Sequence, residues 1–172
     1  MKILLLILFV LVKNCYGQDL SIDFKTIPVG KNVKEFPDNF DLNSPLNSFV
    51  TFKYASANGK NGLLQSVNSI KTKRYFPDST ATNSLVPADE RNRYLNIKIN
   101  EVIIYKDSVA FVISQDEDIE KQSYYSIRSF YLEGGKWVTS GESTAKSIEQ
   151  AHQFISDRAI LFYEDFQSAQ KN

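Results

Sequence analysis

The sequence predicts an α+β domain: two N-terminal helices packed on a strongly curved antiparallel sheet, followed by a long C-terminal helix. Three observations predict it. Apolar residues recur with helical spacing between residues 44 and 70, the period changes to two from Tyr94, and helical spacing returns from Ser147 almost to the end of the chain.

The first helix has a clear start and stop. Ser44 can cap it, Pro45 suits its first position, and Asn58-Gly59 offers a left-handed end. Between them Leu46, Phe49, Val50, Tyr54 and Ala57 fall on one face. A second, shorter helix over residues 62–70 turns Leu63, Leu64, Val67 and Ile70 inward. Residues 71–87 are polar and turn-rich, with one irregular strand at most near Tyr75-Phe76, and residues 88–93 fit a single helical turn.

From Tyr94 onward Leu95, Ile97 and Ile99 alternate with polar residues, and the phase shifts at Asn100-Glu101, which predicts a bulge or sharp bend. Residues 102–105 and 109–114 read as a hairpin about Lys106-Asp107-Ser108. Residues 124–132 and 137–140 read as another, with Gly134-Gly135 supplying positive φ in the turn. Such hairpins predict an antiparallel sheet with one covered face. The last helix starts at Thr144 or Ser147 and reaches Ser168; Ser147 and Gln150 have capping-box spacing. Ile148, Ala151, Ile155, Ala159, Phe162 and Phe166 form its stripe, while Ala159 to Tyr163 is apolar almost all round. That run either packs across the sheet or serves a partner or a homodimer, with Ile160, Leu161 and Tyr163 as interface candidates.

Three segments follow. Residues 1–17 read as a secretory signal peptide: Lys2, ten apolar residues, then Cys15-Tyr16-Gly17 with small residues at −3 and −1. The apolar run would span about 15 Å as a helix, half a bilayer core, so no transmembrane segment is expected after cleavage. Lipidation through Cys15 is disfavoured, because Val12-Lys13-Asn14 precede it. Residues 18–43 form an extended lead-in, broken by Pro28, Gly30 and Pro37 and holding one short edge strand at most. Residues 44–172 form a single α+β domain.

Composition then excludes several chemistries. The chain has 20 basic and 20 acidic residues, and 42% of its residues are hydrophobic. That balance gives no electrostatic case for nucleic acid as a partner. Loss of the leader removes the one Cys and the one Met. Disulfides, thiolate metal sites and a cysteine nucleophile are thereby excluded from the mature chain. A cysteine-free exported domain fits a bacterial envelope, periplasmic or secreted.

Ser44-Pro45, the stretch Phe52-Lys53-Tyr54-Ala55-Ser56-Ala57-Asn58-Gly59-Lys60 and the later Gly-Lys-Trp-Val at 135–138 carry a resemblance. In that order they are similar to the first helix and a sheet-closing hairpin of the nuclear transport factor 2-like superfamily, over residues 44–142. The resemblance implies a sheet folded into a cone whose mouth holds a small ligand, in many members without catalysis. It places Tyr54 like the first-helix tyrosine of the ketosteroid-isomerase branch, whose chemistry also requires a carboxylate base after the second helix and a neutral acid in the sheet. Here that stretch reads Lys71-Thr72-Lys73-Arg74, the nearest carboxylate is Asp78, and residues 97–113 offer no inward acid.

Other chemical candidates are sparse. His152, the one histidine, sits beside the stripe of the last helix, where a hydrogen-bonded boundary role is expected. A zinc site or a Ser-His-Asp triad would have to use it, and no Gly-x-Ser-x-Gly elbow is present. Asp116, Glu117, Asp118 and Glu120 cluster between two strands, but without calcium-loop spacing, and read as a solvated hairpin end. Lys71, Lys73 and Arg74, and separately Arg91 and Arg93, read as solvated basic groups. If the cone exists, Tyr54, Phe111, Tyr125 and Trp137 are its cavity candidates. The expected function is an exported, non-catalytic domain binding a small ligand or an envelope protein, with no cofactor and no metal. The alternatives are a small isomerase or hydrolase using Tyr54 and Asp78, and an immunity or inhibitor protein.

Overall fold

The computed structural model of the chain describes residues 23–37, 40–69, 83–118 and 120–170. Residues 1–17, expected to be a leader, and Ile70, Lys71, Lys73, Arg74, the Tyr75-Phe76 segment and Asp78 lie outside the described residues. The architecture is α+β. Five strands form one antiparallel sheet in chain order: β1 (Phe24–Asn32), β2 (Lys98–Tyr105), β3 (Val109–Glu117), β4 (Ser123–Glu133) and β5 (Lys136–Ala145). Four α-helices accompany it among the described residues: α1 (Pro45–Ala57), α2 (Asn61–Val67), α3 (Ala88–Asn96) and α4 (Ile148–Gln170). Among the same residues no helix is long and apolar enough to cross a membrane.

β1 departs from the expected lead-in. It runs through Pro28 and Gly30 and pairs with β2 from Phe24↔Tyr105 to Asn32↔Lys98. Proline is tolerated because β1 is an edge strand, where a missing N–H disturbs the ladder least. The register shifts between Pro28 and Lys31, where Gly30 takes φ +67°. The β2–β3 register shifts opposite this point, between Ile99 and Glu101. The phase break at Asn100-Glu101 is therefore a bulge.

Local signals set the helix ends. Ser44 Oγ accepts from Asn47 N (3.1 Å), and Pro45 is the first residue of α1. Asp41 Oδ1 supports the same turn by accepting from Asn47 Nδ2 (2.7 Å). At the far end Asn58 N donates to Tyr54 O (3.1 Å), and Gly59 leaves the helix at φ +60°. A Cβ at Gly59 would fall 1.9 Å from Ser84 O, the residue whose N–H donates to Gly59 O (2.9 Å). Gly59→Ala is expected to destabilise the protein by about 2 kcal/mol, combining left-handed strain with backbone displacement. Thermal unfolding checks this; an unchanged midpoint would show that residues 83–87 do not pack on the α1–α2 turn.

The sheet is covered on both faces, not one. On the first face Phe49 and Val50 of α1 share a core with Val102, Ala110, Val112, Phe130 and Trp137. On the second, Ala151, Ile155 and Ala159 of α4 pack with Ile103, Phe111, Ile113, Ile127 and Tyr131. The reason lies in β3, where Val109 through Ser114 are all buried and five of the six are apolar. A strand without polar alternation belongs to a sheet buried on both sides.

The C-terminal helix meets its expectation. Ser147 Oγ accepts from Gln150 N (3.3 Å), and Gln150 Oε1 accepts from Lys146 N (3.0 Å), a reciprocal cap. Phe162 stacks edge-on with Phe111 at 5.3 Å, and Tyr131 OH donates to Asp165 Oδ2 (2.9 Å). Burial, together with that carboxylate, pushes the Tyr131 hydroxyl well above the usual tyrosine range. Tyr163 packs edge-on against Tyr105 at 5.9 Å, whereas Ile160 and Leu161 are 43% and 51% exposed. α4 therefore packs across its own sheet, and of the three interface candidates Ile160 and Leu161 face outward.

Candidate functional site

The site begins with an irregularity in β5. Ser129 pairs with Gly141 but Phe130 pairs with Thr139, so Ser140 is an extra residue in the ladder. In a regular strand Thr139 and Glu142 would point to opposite faces. The bulge at Ser140 restores both to the α1 face, one beside Phe130 and the other beside Arg128.

Arg128 is the hub. Its guanidinium pairs with the Glu142 carboxylate through Nη2, and Nη1 donates to Thr139 Oγ1 (3.3 Å). The Phe52 ring lies 3.9 Å from the guanidinium carbon, a close cation–π contact. Ser126 Oγ donates to the other Glu142 oxygen, and the Lys53 ammonium stands 3.8 Å from it. Lys53 and Arg128 are 4% and 8% exposed. Nε of Arg128 is buried and has no hydrogen-bond partner.

Burial dominates the electrostatics of both cations. It pushes the Lys53 ammonium below the usual lysine range, against the pull of Glu142, while Arg128 adds repulsion. It lowers Arg128 in the same way, again opposed by Glu142. Burial alone would raise the Glu142 carboxyl. Arg128, then Lys53, then the hydrogen bonds from Ser126 and Arg128 outweigh it and hold the group below the usual carboxylate range. Aromatic faces complete the Lys53 environment, with Phe49 at 5.4 Å and Tyr94 at 6.0 Å.

A groove of about 390 Å³ opens beside this cluster. Phe52 and Ser56 of α1 form one wall, and Asn61, Leu64 and Gln65 of α2 with Asn68 form the other. Arg128, Thr139, Ser140 and Gly141 supply the sheet side. The strand edge there is not bare: Ser69 N donates to Thr139 O (3.0 Å), holding the end of α2 against β5.

The sequence-predicted cavity residues do not gather here. Phe111 and Tyr125 belong to the opposite face, under α4. Trp137 is buried in the core beneath α1, and its backbone N–H donates to Leu42 O (2.9 Å). Tyr54 packs on Phe40 (4.8 Å) and under Lys60 (5.3 Å) and does not line the groove. The sheet's alternation is what parts these residues. Asp78 lies outside the described residues, so no Tyr54–Asp78 pair is described.

His152 does meet an acid: its Nε2 contacts Glu101 Oε1 at the edge of the second face. The acidic cluster is not wholly solvated. Asp116 is buried and accepts from Glu117 N (2.8 Å), while Glu117, Asp118 and Glu120 are exposed. No group of three or more metal-ligating side chains occurs among the described residues.

Arg128, Glu142, Thr139 and Lys53 escaped the sequence reading. Lys53 was legible as a lysine next to the apolar stripe of α1, four and three residues from Phe49 and Val50. The others had no readable signal, because the polar run Thr139 to Thr144 hides a strand behind its bulge. No protein-family model matches the sequence, and neither a curated protein nor a solved structure matches the chain.

Proposed function

We propose that this protein is an exported, non-catalytic binding domain of the bacterial cell envelope, and that it takes a small ligand in the groove between α1, α2 and β5. The observation that carries the reading is the groove itself: 390 Å³ of concave surface with the Phe52 and Leu64 side chains, amide and hydroxyl groups, and a single guanidinium. That mixture of apolar wall and a few polar tips suits small-molecule capture. Export rests on the leader at residues 1–17. The finer architecture belongs to the same proposal: α1 and α2 on a strongly curved sheet, as in the nuclear transport factor 2-like cone. The shared core of Phe49, Val50, Val112, Phe130 and Trp137 and the paired bulges of β1 and β2 support it.

Gln65→Trp tests the groove. The indole would fill it from α2, so native mass spectrometry of protein purified from an envelope fraction is expected to show a bound small molecule on the wild type and none on the variant. The mature N-terminus of the same sample is expected at Gln18. Identical ligand-free masses for both proteins would overturn the groove reading, and an uncleaved cytoplasmic chain would overturn export.

A further inference from the structure

The groove's charge identifies the class of ligand. Arg128 is the one ionisable group among the described residues that line it; the other polar lining groups are neutral amides and hydroxyls. The guanidinium is fixed from several sides, by the Phe52 ring on its face, by Glu142 at Nη2 and by Thr139 at Nη1. A side chain so held cannot swing out to water, and its rotamer entropy is already lost, which is the condition for efficient anion recognition.

The surrounding charges leave a surplus. Lys53 and Arg128 are buried cations, and Glu142 bridges both. From farther off, buried Asp116 of β3 and exposed Arg93 of α3 act on Lys53 in opposing senses. At ion-pair distance, two buried cations thus share one carboxylate. A monoanion would balance the group, whereas a cationic ligand would add a third positive charge in a region of low dielectric.

The walls set the rest of the molecule. Phe52 and Leu64 demand an apolar body, and one guanidinium already shared with Glu142 suits a single carboxylate better than a phosphate dianion. We infer that the groove binds a small organic carboxylate, its acid group directed at Arg128 and its apolar body lying between Phe52 and Leu64. This rests on the groove reading above and narrows it. Glu142 is then a positioning residue: it holds the guanidinium edge in place and does not touch the ligand.

The test uses ligand pairs that differ only in charge. Straight-chain C6–C10 and phenylalkyl carboxylates, each beside its neutral primary amide, are titrated into the mature chain by calorimetry. At least one acid is expected to bind ten-fold or more tighter than its amide. Its ¹³C-labelled carboxyl is expected to titrate at lower pH when bound than when free. The variant Arg128→Gln, which removes the surplus cation and leaves Glu142 paired with Lys53, is expected to bind acid and amide alike. Equal affinity of acids and amides for the wild type would overturn the carboxylate inference and leave the groove reading standing. Failure of every acid and amide to bind, with Gln65→Trp indistinguishable from wild type, would overturn both. Should Arg128→Gln not fold, the acid-amide comparison and the carboxyl titration decide the question.

Discussion

Phe111→Ala is expected to cost about 3–5 kcal/mol, the range for deleting a buried aromatic side chain and leaving its cavity. Phe111 is fully buried on the central strand β3, among Ile103, Ile113, Ile127 and the apolar face of α4. It also loses its edge-on contact with Phe162. For a domain near 150 residues this corresponds to a fall in Tm of about 10 °C, read by calorimetry or by urea unfolding. Phe111 points away from the groove, so ligand affinity is expected to stay within about two-fold of wild type at temperatures where the variant is folded. A cost below about 1 kcal/mol would mean that α4 is not the lid of the second core.

The second large effect is Glu142→Gln. Removing one partner of a buried ion pair costs about 3–5 kcal/mol, because the remaining charge stays desolvated. Glu142 is itself 36% exposed and glutamine keeps one acceptor, so about 2–3 kcal/mol is expected. Two cations, Lys53 and Arg128, are left without their shared carboxylate.

The pH dependence has a definite sign. Arg128 and Lys53 outweigh burial and depress the folded-state carboxyl of Glu142, so its contribution is complete above the unfolded value of about 4.3 and is lost as pH falls through the folded value. The wild-type advantage over Glu142→Gln is therefore constant near neutrality and shrinks below about pH 4. Lys53 gives the same sign at higher pH. Burial lowers its folded value, so the unfolded chain binds more protons and stability rises with pH towards the unfolded value. Without Glu142 that rise is expected to steepen. Urea midpoints of both proteins between pH 3 and 10 check both limbs, and parallel curves would exclude the ion cluster as their cause.

Much of the scaffold was legible because it is written in local chemistry. Ser44-Pro45 and Asn58-Gly59 bound α1, Gly134-Gly135 turn the last hairpin at φ +56° and +78°, and Ser147 with Gln150 caps α4. The length of β1 was hidden, since Pro28 and Gly30 are strand breakers everywhere except an edge bulge. The second covered face could have been read from the unbroken apolar run of β3. Tyr54, Phe111, Tyr125 and Trp137 could not be sorted into faces without the register of the hairpins, which then placed them in different environments.

What the sequence determined by itself is whatever depends on neighbours a few residues apart: helix limits and hairpin turns. What only the tertiary structure decided is the meeting of Lys53, Arg128 and Glu142 beside the groove. Arg128 and Glu142 sit 14 positions apart on paired strands, and one extra residue at Ser140 decides which face Glu142 takes. Side chains alternate with a period of two, so a single bulge reverses every assignment beyond it. A buried charge cluster is then held together by geometry that no local pattern of residues encodes.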